Sequence, residues 1–334
     1  MKKRLLVTGS AGFVGAHIVE HVLANTDWEV IGIDSFRHRG DSQRVYHDPE
    51  RYKIFTHDLT TPISNILINR IGKIDYILQN ASESHVDRSI DDVTRRAFVE
   101  NNYSVAVTML EYAKIAKPEK YIHVSTDEVY GPAIEGHDHK EWEPHLPSNP
   151  YSGSKAAMVD ISISYWRTYG VPLIITETMN LIGERQDSEK YIPMLIKRIY
   201  NGEEVVVHGS PNNIGSRYYL HARNQADALM YLFQNKKPTM YSDSLGDIVR
   251  PDRFNIVGDV EVNNLEMAQL IAEILGKELK YRFEDFHATR PGHDRRYGLD
   301  GTKMRELGWK APVPFRESIE RIVEWTLQHK EWLI

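Results

Sequence analysis

The 334-residue chain contains no cysteine. Disulfides, zinc–thiolate centres and thiol nucleophiles are thereby excluded together, and the absence fits a reducing compartment. Long apolar runs are missing too: no stretch approaches the ~20 residues needed to cross a bilayer, and mean hydropathy is −0.47. The basic start MKKRLLVTGS loses its apolar character at Thr8 and Gly9, far short of a signal-peptide core. There is no cationic excess, since 41 Lys+Arg stand against 47 Asp+Glu for a net charge of −6, which argues against nucleic acid as a partner. Repeats, low-complexity tracts and charge blocks are absent as well, so linker and tail functions have no support. These absences leave the expectation of a soluble, cytoplasmic globular protein with neither a nucleic-acid nor a membrane partner. At roughly 150 residues per domain the length implies about two domains.

What is present is an alternation of short apolar runs and amphipathic stretches, the pattern of parallel strands joined by crossover helices. Leu5 to Thr8 opens the series, and a helix from about Phe13 carries Val14, Ile18 and Val22 on one stripe. EVIGID, KIFTHDL, DYILQNA, KYIHVST and PLIITET repeat the β-rich signature, so six strands are legible before about residue 177. The fold class expected is α/β, a doubly wound parallel sheet with a smaller, interleaved C-terminal substrate domain. We place the dinucleotide-binding domain at 1–178, with a strand returning near 253–258, and the second domain at 179–334. In the latter, NLIGERQDSEKYIP reads as loop. Helices follow around Met194 to Ile199, Met267 to Ile274 and Ile319 to Val323.

TGSAGFVG sets Gly9, Gly12 and Gly15 directly after the first strand and at the mouth of the first helix, with Phe13 and Val14 between them. Glycines let a backbone approach a pyrophosphate, and the helix N-terminus supplies free N–H groups. Asp34, followed by Ser35, ends the second strand where a carboxylate accepts both ribose hydroxyls and repels a ribose phosphate, so NAD is favoured over NADP. The nearby Arg37 and Arg39 soften that preference. Asp58-Leu59 could flank an adenine or simply close a strand-end turn, and Asn80-Ala81-Ser82 ends the fourth strand in the same crevice. Tyr151 and Lys155 share a helix face after Pro150, where an ammonium favours phenolate. The same spacing also occurs on solvated faces. Thr126-Asp127-Glu128 after the fifth strand could be a turn or cap, but beside a hydroxyl, a Tyr-Lys pair and a dinucleotide loop it suits an acid and a base. His137-Asp138-His139 reads as a solvated loop on which no other ligand converges, so no metal is expected.

With TGSAGFVG, ASESHVDRSI, HVSTDEVYG, PYSGSK and RPGHDRRYGLDGTKMRELGW in place, the chain resembles the extended short-chain dehydrogenase/reductase family nearly end to end. Within that family it is similar to the nucleotide-sugar 4,6-dehydratases, above all those acting on dTDP-glucose. The resemblance implies a tightly bound, recycled NAD and a nucleotide-diphosphate hexose substrate, dTDP-glucose or UDP-glucose first. It implies that Tyr151, with Lys155 and Thr126, takes the 4-hydroxyl proton as hydride leaves carbon 4. Glu128 then removes the carbon 5 proton, Asp127 protonates the departing 6-hydroxyl, and hydride returns to carbon 6. Similar 4-epimerases and decarboxylases usually lack the Asp-Glu pair. His85, Asn180, Lys190, Arg217, Asn255, Arg290 and His293, with Thr126, match substrate-binding positions, and Asn102 matches an asparagine near the cofactor. The resemblance also implies a homodimer through the helix holding Tyr151 and the long helix from about Asp92 to Ala116. Departures gather at Asn180-Leu181-Ile182-Gly183-Glu184 and Ser216-Arg217-Tyr218-Tyr219, where relatives read Asn-Asn-Tyr-Gly-Pro and Arg-Asp-Trp. They leave the nucleobase open, whereas Ser10 and Gly153 are minor changes.

Overall fold

A computed structural model describes residues 2–37, 40–242, 249–284 and 294–333. Its centre is built from strands that are apolar on both faces, as a covered parallel sheet requires. In β1 (Arg4–Thr8), Leu5 and Val7 enter one core while Leu6 enters the other, the period-2 alternation of a strand buried on both sides. Helix α1 (Phe13–Asn25) follows. After it come β2 (Glu29–Asp34), β3 (Tyr52–Thr56), α2 (Asn65–Ile71), β4 (Tyr76–Gln79), α3 (Val86–Ile90), α4 (Arg95–Ala116), β5 (Lys120–Val124), α5 (Pro150–Tyr169) and β6 (Leu173–Thr178).

The chain then leaves the sheet through β7 (Asn180–Ile182), α6 (Tyr191–Tyr200), β8 (Val205–Ser210), β9 (Asn213–Ile214), β10 (Ser216–His221) and α7 (Ala222–Asn235). It returns as β11 (Asp252–Ile256). The remaining elements are β12 (Glu261–Asn263), α8 (Asn264–Leu275), β13 (Tyr281–Glu284), β14 (Arg296–Tyr297), α9 (Thr302–Glu306) and α10 (Phe315–Gln328).

The seven-stranded sheet runs β11-β6-β5-β4-β1-β2-β3, with every pairing parallel. Strand order reverses at β1, flanked by β2 and β4, and this switch point opens a crevice at the strands' C-terminal ends. On one face Ile18 and Val22 of α1 pack with Leu229 and Phe233 of α7. On the other, Val105, Met109 and Leu110 of α4 meet Val159 and Trp166 of α5. A separate core joins α6, α8 and α10 through Leu195, Ile196, Met267, Ile271, Ile319 and Ile322. Two small sheets accompany it, β12-β10-β14 with β7 on β10, and β13-β8-β9.

The α/β doubly wound class expected from the sequence is the one observed. The segment read as loop after Met179 differs, because Asn180 to Ile182 form a strand paired with Tyr219 to His221. Three residues carry no periodicity, and their partner lies far along the chain. The long helix begins at Arg95, because Asp91 holds the N–H groups of Val93 and Thr94 in a turn before it. Among the described residues no helix is long and apolar enough to cross a membrane.

Candidate active site

The crevice holds a cavity of about 880 Å³ lined from the glycine loop to β8 and β14. At its floor Gly9 sits at φ +68°, donating its N–H to the Ile33 carbonyl at 2.8 Å. A Cβ on Gly15 would lie 1.9 Å from the Gly9 carbonyl oxygen, so the loop cannot close against α1 with any other residue there. A Cβ on Gly12 would meet only that carbonyl, at 3.2 Å, leaving the rest of its surroundings to the cleft. Gly12 caps α1 without a side-chain hydrogen bond, so the first-turn N–H groups remain available to an anion.

Asp34 is fixed by two backbone donors, Ala11 N–H and Phe36 N–H, each at 2.9 Å on a different oxygen. Each carboxylate oxygen keeps a second acceptor position, which suits a pair of ribose hydroxyls. Gly9, Gly12, Phe13, Val14, Gly15, Asp34, Ser35, Asp58, Leu59, Asn80, Ala81, Ser82 and Asn102 all line the cavity. Asp58 has a second engagement. It accepts the Thr60 N–H and hydroxyl at 3.0 and 2.8 Å and pairs with Arg37, so it closes a strand-end turn while facing the cleft. Asn80 and Ala81 donate their N–H groups to Thr8 Oγ1, each at 3.0 Å. Buried Asn102 accepts Glu83 N–H at 2.6 Å and donates to Ser154 Oγ at 2.8 Å, fastening the loop after β4 to α5.

Five groups meet beside this floor. Thr126, just past β5, is the N-cap of a short 3-10 turn over Asp127–Tyr130, and its hydroxyl donates to Asp127 Oδ1 at 2.9 Å. Asp127 is buried and its Oδ2 has no hydrogen-bond partner. Burial, then the neighbouring Glu128 charge, lift its pKa to about 7. Glu128 accepts from Asn149 Nδ2 at 3.3 Å and from the Tyr297 hydroxyl at 3.5 Å. Helix α5 starts with a capping box between Asn149 and Ser152, which sets Tyr151 in the first turn and Lys155 one turn on.

Burial foremost, then the Glu128 charge, push the Tyr151 hydroxyl well above its ordinary range, against a hydrogen bond with Thr126. Lys155 is lowered to about 8 by burial and donates to the Val124 carbonyl at 2.8 Å and Ser82 Oγ at 3.4 Å. The lysine thus holds the loop after β4 against the end of β5.

His85, Asn180, Lys190 and Arg217 line the far side of the same cavity. His85 Nε2 lies 3.0 Å from Glu189, and Lys190 caps α6. Arg217 donates to the carbonyls of Ser216, Asp294 and Arg295 and lies over the Tyr297 ring, 4.6 Å from its centroid. The structure does not bring Asn255 to the cleft. It is fully buried on β11 and donates to the carbonyls of His139 and Asp300 at 2.9 and 3.2 Å, a structural task. Arg290 and His293 lie outside the described residues, as does Arg39.

Two residues that the sequence reading passed over hold Glu128 in place. Tyr297 stands within RPGHDRRYGLDG, but nothing in that run marks its hydroxyl as facing a carboxylate from β14. Asn149 precedes Pro150 as a visible N-cap, and its second contact depends on the turn before it. Outside the cleft, the expectation that nothing converges on His137 and His139 is overturned. Glu143 Oε2 lies 3.0 Å from His137 Nε2 and 2.7 Å from His139 Nδ1.

The family model described as GDP-mannose 4,6 dehydratase matches residues 6–322. The chain belongs to this family. It is 35% identical to the low-salt glycan biosynthesis protein Agl12 of Haloferax volcanii over 98% of this chain and 99% of that one. It is 33% identical to dTDP-glucose 4,6-dehydratase 1 of Escherichia coli over 99% and 94%. Among solved structures, the dTDP-glucose 4,6-dehydratase DesIV of Streptomyces venezuelae, with NAD bound, superposes with a TM-score of 0.84 at 32% identity, covering 98% of each chain. The family is one of NAD-dependent nucleotide-sugar dehydratases and epimerases on the extended short-chain dehydrogenase/reductase scaffold.

Proposed function

We propose that the chain removes water across carbons 5 and 6 of a nucleoside-diphosphate hexose, giving the 4-keto-6-deoxy sugar nucleotide. The observation that carries this reading is Asp127, a buried carboxyl raised to about 7 beside Glu128 and opening on the cavity that the glycine loop floors. A group poised near neutrality can hold a proton for a leaving hydroxyl while its neighbour, held by Asn149 and Tyr297, serves as base. An epimerase needs no acid at that position.

The glycine cradle and the free acceptor positions of Asp34 fit NAD, and Asp34 favours it over the ribose-phosphorylated form. When bound, NAD supplies the hydride acceptor and donor, with a positive charge of the sign that favours the Tyr151 phenolate. Tyr151, bonded to Thr126, accepts the 4-hydroxyl proton, and Lys155 holds the surrounding loops and adds positive charge. Glu128 takes the carbon 5 proton made acidic by the 4-ketone, and Asp127 gives its proton to the 6-hydroxyl as water leaves. Glu128 returns its proton to carbon 5 when the hydride taken from carbon 4 is delivered to carbon 6. Arg217 and Lys190 offer charge to a diphosphate, and His85 and Asn180 face the same space.

On this reading residues 1–178 with β11 hold the cofactor, and 179–334 supply most of the substrate pocket. The relatives' names support dTDP-glucose as the substrate. Incubation with dTDP-glucose, UDP-glucose, GDP-mannose and CDP-glucose separately, followed by mass spectrometry, tests both claims. Loss of one water from one of them is expected. An unchanged mass with an altered retention time would replace the dehydratase by an epimerase.

A further inference from the structure

The connection between the Asp127–Glu128 turn and α5 carries a constellation that the reaction does not use. His137, His139 and Glu143 are the one set, among the described residues, of three or more His, Asp or Glu side chains with donor atoms all within 4.8 Å of one another. Both imidazoles address the same carboxylate oxygen, at 3.0 and 2.7 Å.

Each donor is placed by backbone structure rather than by a free side-chain excursion. His139 lies in a parallel bridge to Leu299, its N–H on the Gly298 carbonyl and its carbonyl accepting from Asp300 N–H, both at 2.9 Å. Its ring stacks on Tyr130 at 5.2 Å and 17°. The buried Asn255 carboxamide bonds the same His139 carbonyl from below. Glu143 is turned inward by Lys140 N–H on its other oxygen at 3.0 Å, and the His137 carbonyl is held by Arg296 at 2.8 Å.

Donors bound to a tetrahedral ion at ~2.0–2.1 Å stand about 3.3 Å apart. Opening the two short contacts by about 0.3 and 0.6 Å brings both to that spacing. Two imidazoles and a carboxylate are a borderline donor set that suits Zn²⁺ and its neighbours over Mg²⁺ or Ca²⁺, and three protein ligands leave a fourth position for water.

We propose that His137, His139 and Glu143 bind one divalent transition-metal ion of the zinc class, which staples the 131–149 connection. The ion would exchange two hydrogen bonds for three coordinate bonds across a loop that joins the proposed acid–base pair to the helix of Tyr151. The site is separate from the proposed catalytic groups, so its test does not depend on turnover.

Untagged, chelator-treated protein is titrated with ZnCl₂ by calorimetry and with CoCl₂ by visible absorption, alongside His137→Ala and Glu143→Gln. Expected are one ion per chain, the absorption of four-coordinate cobalt, a higher Tm with Zn²⁺, no matching effect of Mg²⁺, and affinity at least ~10-fold lower in either variant. Equal Zn²⁺ binding by wild type and both variants would overturn the site, as would no binding at all. Binding without any rise in Tm would overturn the stapling role.

Discussion

At the residue scale the decisive group is Asp127. Its ordinary pKa of 3.8 is lifted to about 7, so between about pH 4 and pH 7 the folded chain holds a proton that the unfolded chain has lost. Stability from this group is therefore greatest at low pH and falls as pH rises through the folded value. Asp127→Asn should accordingly raise Tm at pH 8, with the advantage closing as pH is lowered towards 5, as thermal denaturation across that range would show. In turnover the same substitution should cost about 10²–10⁴-fold, the usual size of a lost general acid. Oxidation at carbon 4 should survive it, visible as reduced-nicotinamide absorbance when sugar nucleotide is added. Wild-type turnover in the variant would remove Asp127 from the mechanism. The sequence showed Asp127 and Glu128 as neighbours. Which of the two is buried with an orphaned oxygen, and which is held by Tyr297 and Asn149, depends on β14 and the α5 cap, elements distant in the chain.

At the element scale, α5 joins stability to the proposed chemistry through one residue. Asn149 accepts the Ser152 N–H at 2.9 Å as a cap and donates to Glu128 at 3.3 Å. Asn149→Ala removes both and should cost about 1 kcal/mol of stability together with turnover. Asn149→Ser keeps a capping hydroxyl but cannot reach Glu128, so it should hold Tm near wild type and still lower kcat. Denaturant melts and steady-state rates on the two variants separate the roles. The helix start and the Tyr-Lys spacing were readable from Pro150, Tyr151 and Lys155 in the sequence, because a first-turn proline and i, i+4 faces are local properties. Lys155 was expected beside the tyrosine, and the structure shows its ammonium donating to Val124 and Ser82, contacts set by strand order.

At the scale of the whole molecule, Arg44 ties its parts together. The residue follows β2, is fully buried, donates to the Arg185 carbonyl at 3.0 Å, pairs with Asp187 at 3.1 Å and lies under the C-terminal Trp332 ring at 4.9 Å. Arg44→Ala should cost about 3 kcal/mol, the low end for a broken buried pair because Asp187 keeps some exposure. A lower denaturant midpoint, with weaker sugar-nucleotide binding from the loosened 185–190 segment, is the expected result. The outer surfaces of α4 and α5 expose Tyr103, Ile115 and Tyr169, and a homodimer through these helices, as the family resemblance implies, would cover them. Light scattering should give twice the chain mass of 38.6 kDa, and a monomer would contradict it.

The sequence by itself determined the parallel sheet, the glycine loop with Asp34, and the residue types of the proposed acid–base pair. Each is written in short windows by periodicity, backbone permissiveness or adjacency. Only the tertiary structure decided that β7 pairs with β10, that Asn255 braces His139 instead of lining the cleft, that Tyr297 faces Glu128, and that Glu143 closes on two histidines. Glu143 lies only four and six residues from the histidines, and its closure depends on how Lys140 N–H and the bridge to Leu299 set the loop. The other pairings join segments whose separation in the chain says nothing about their distance, and burial fixes them only once the sheet and the smaller C-terminal layer have come together.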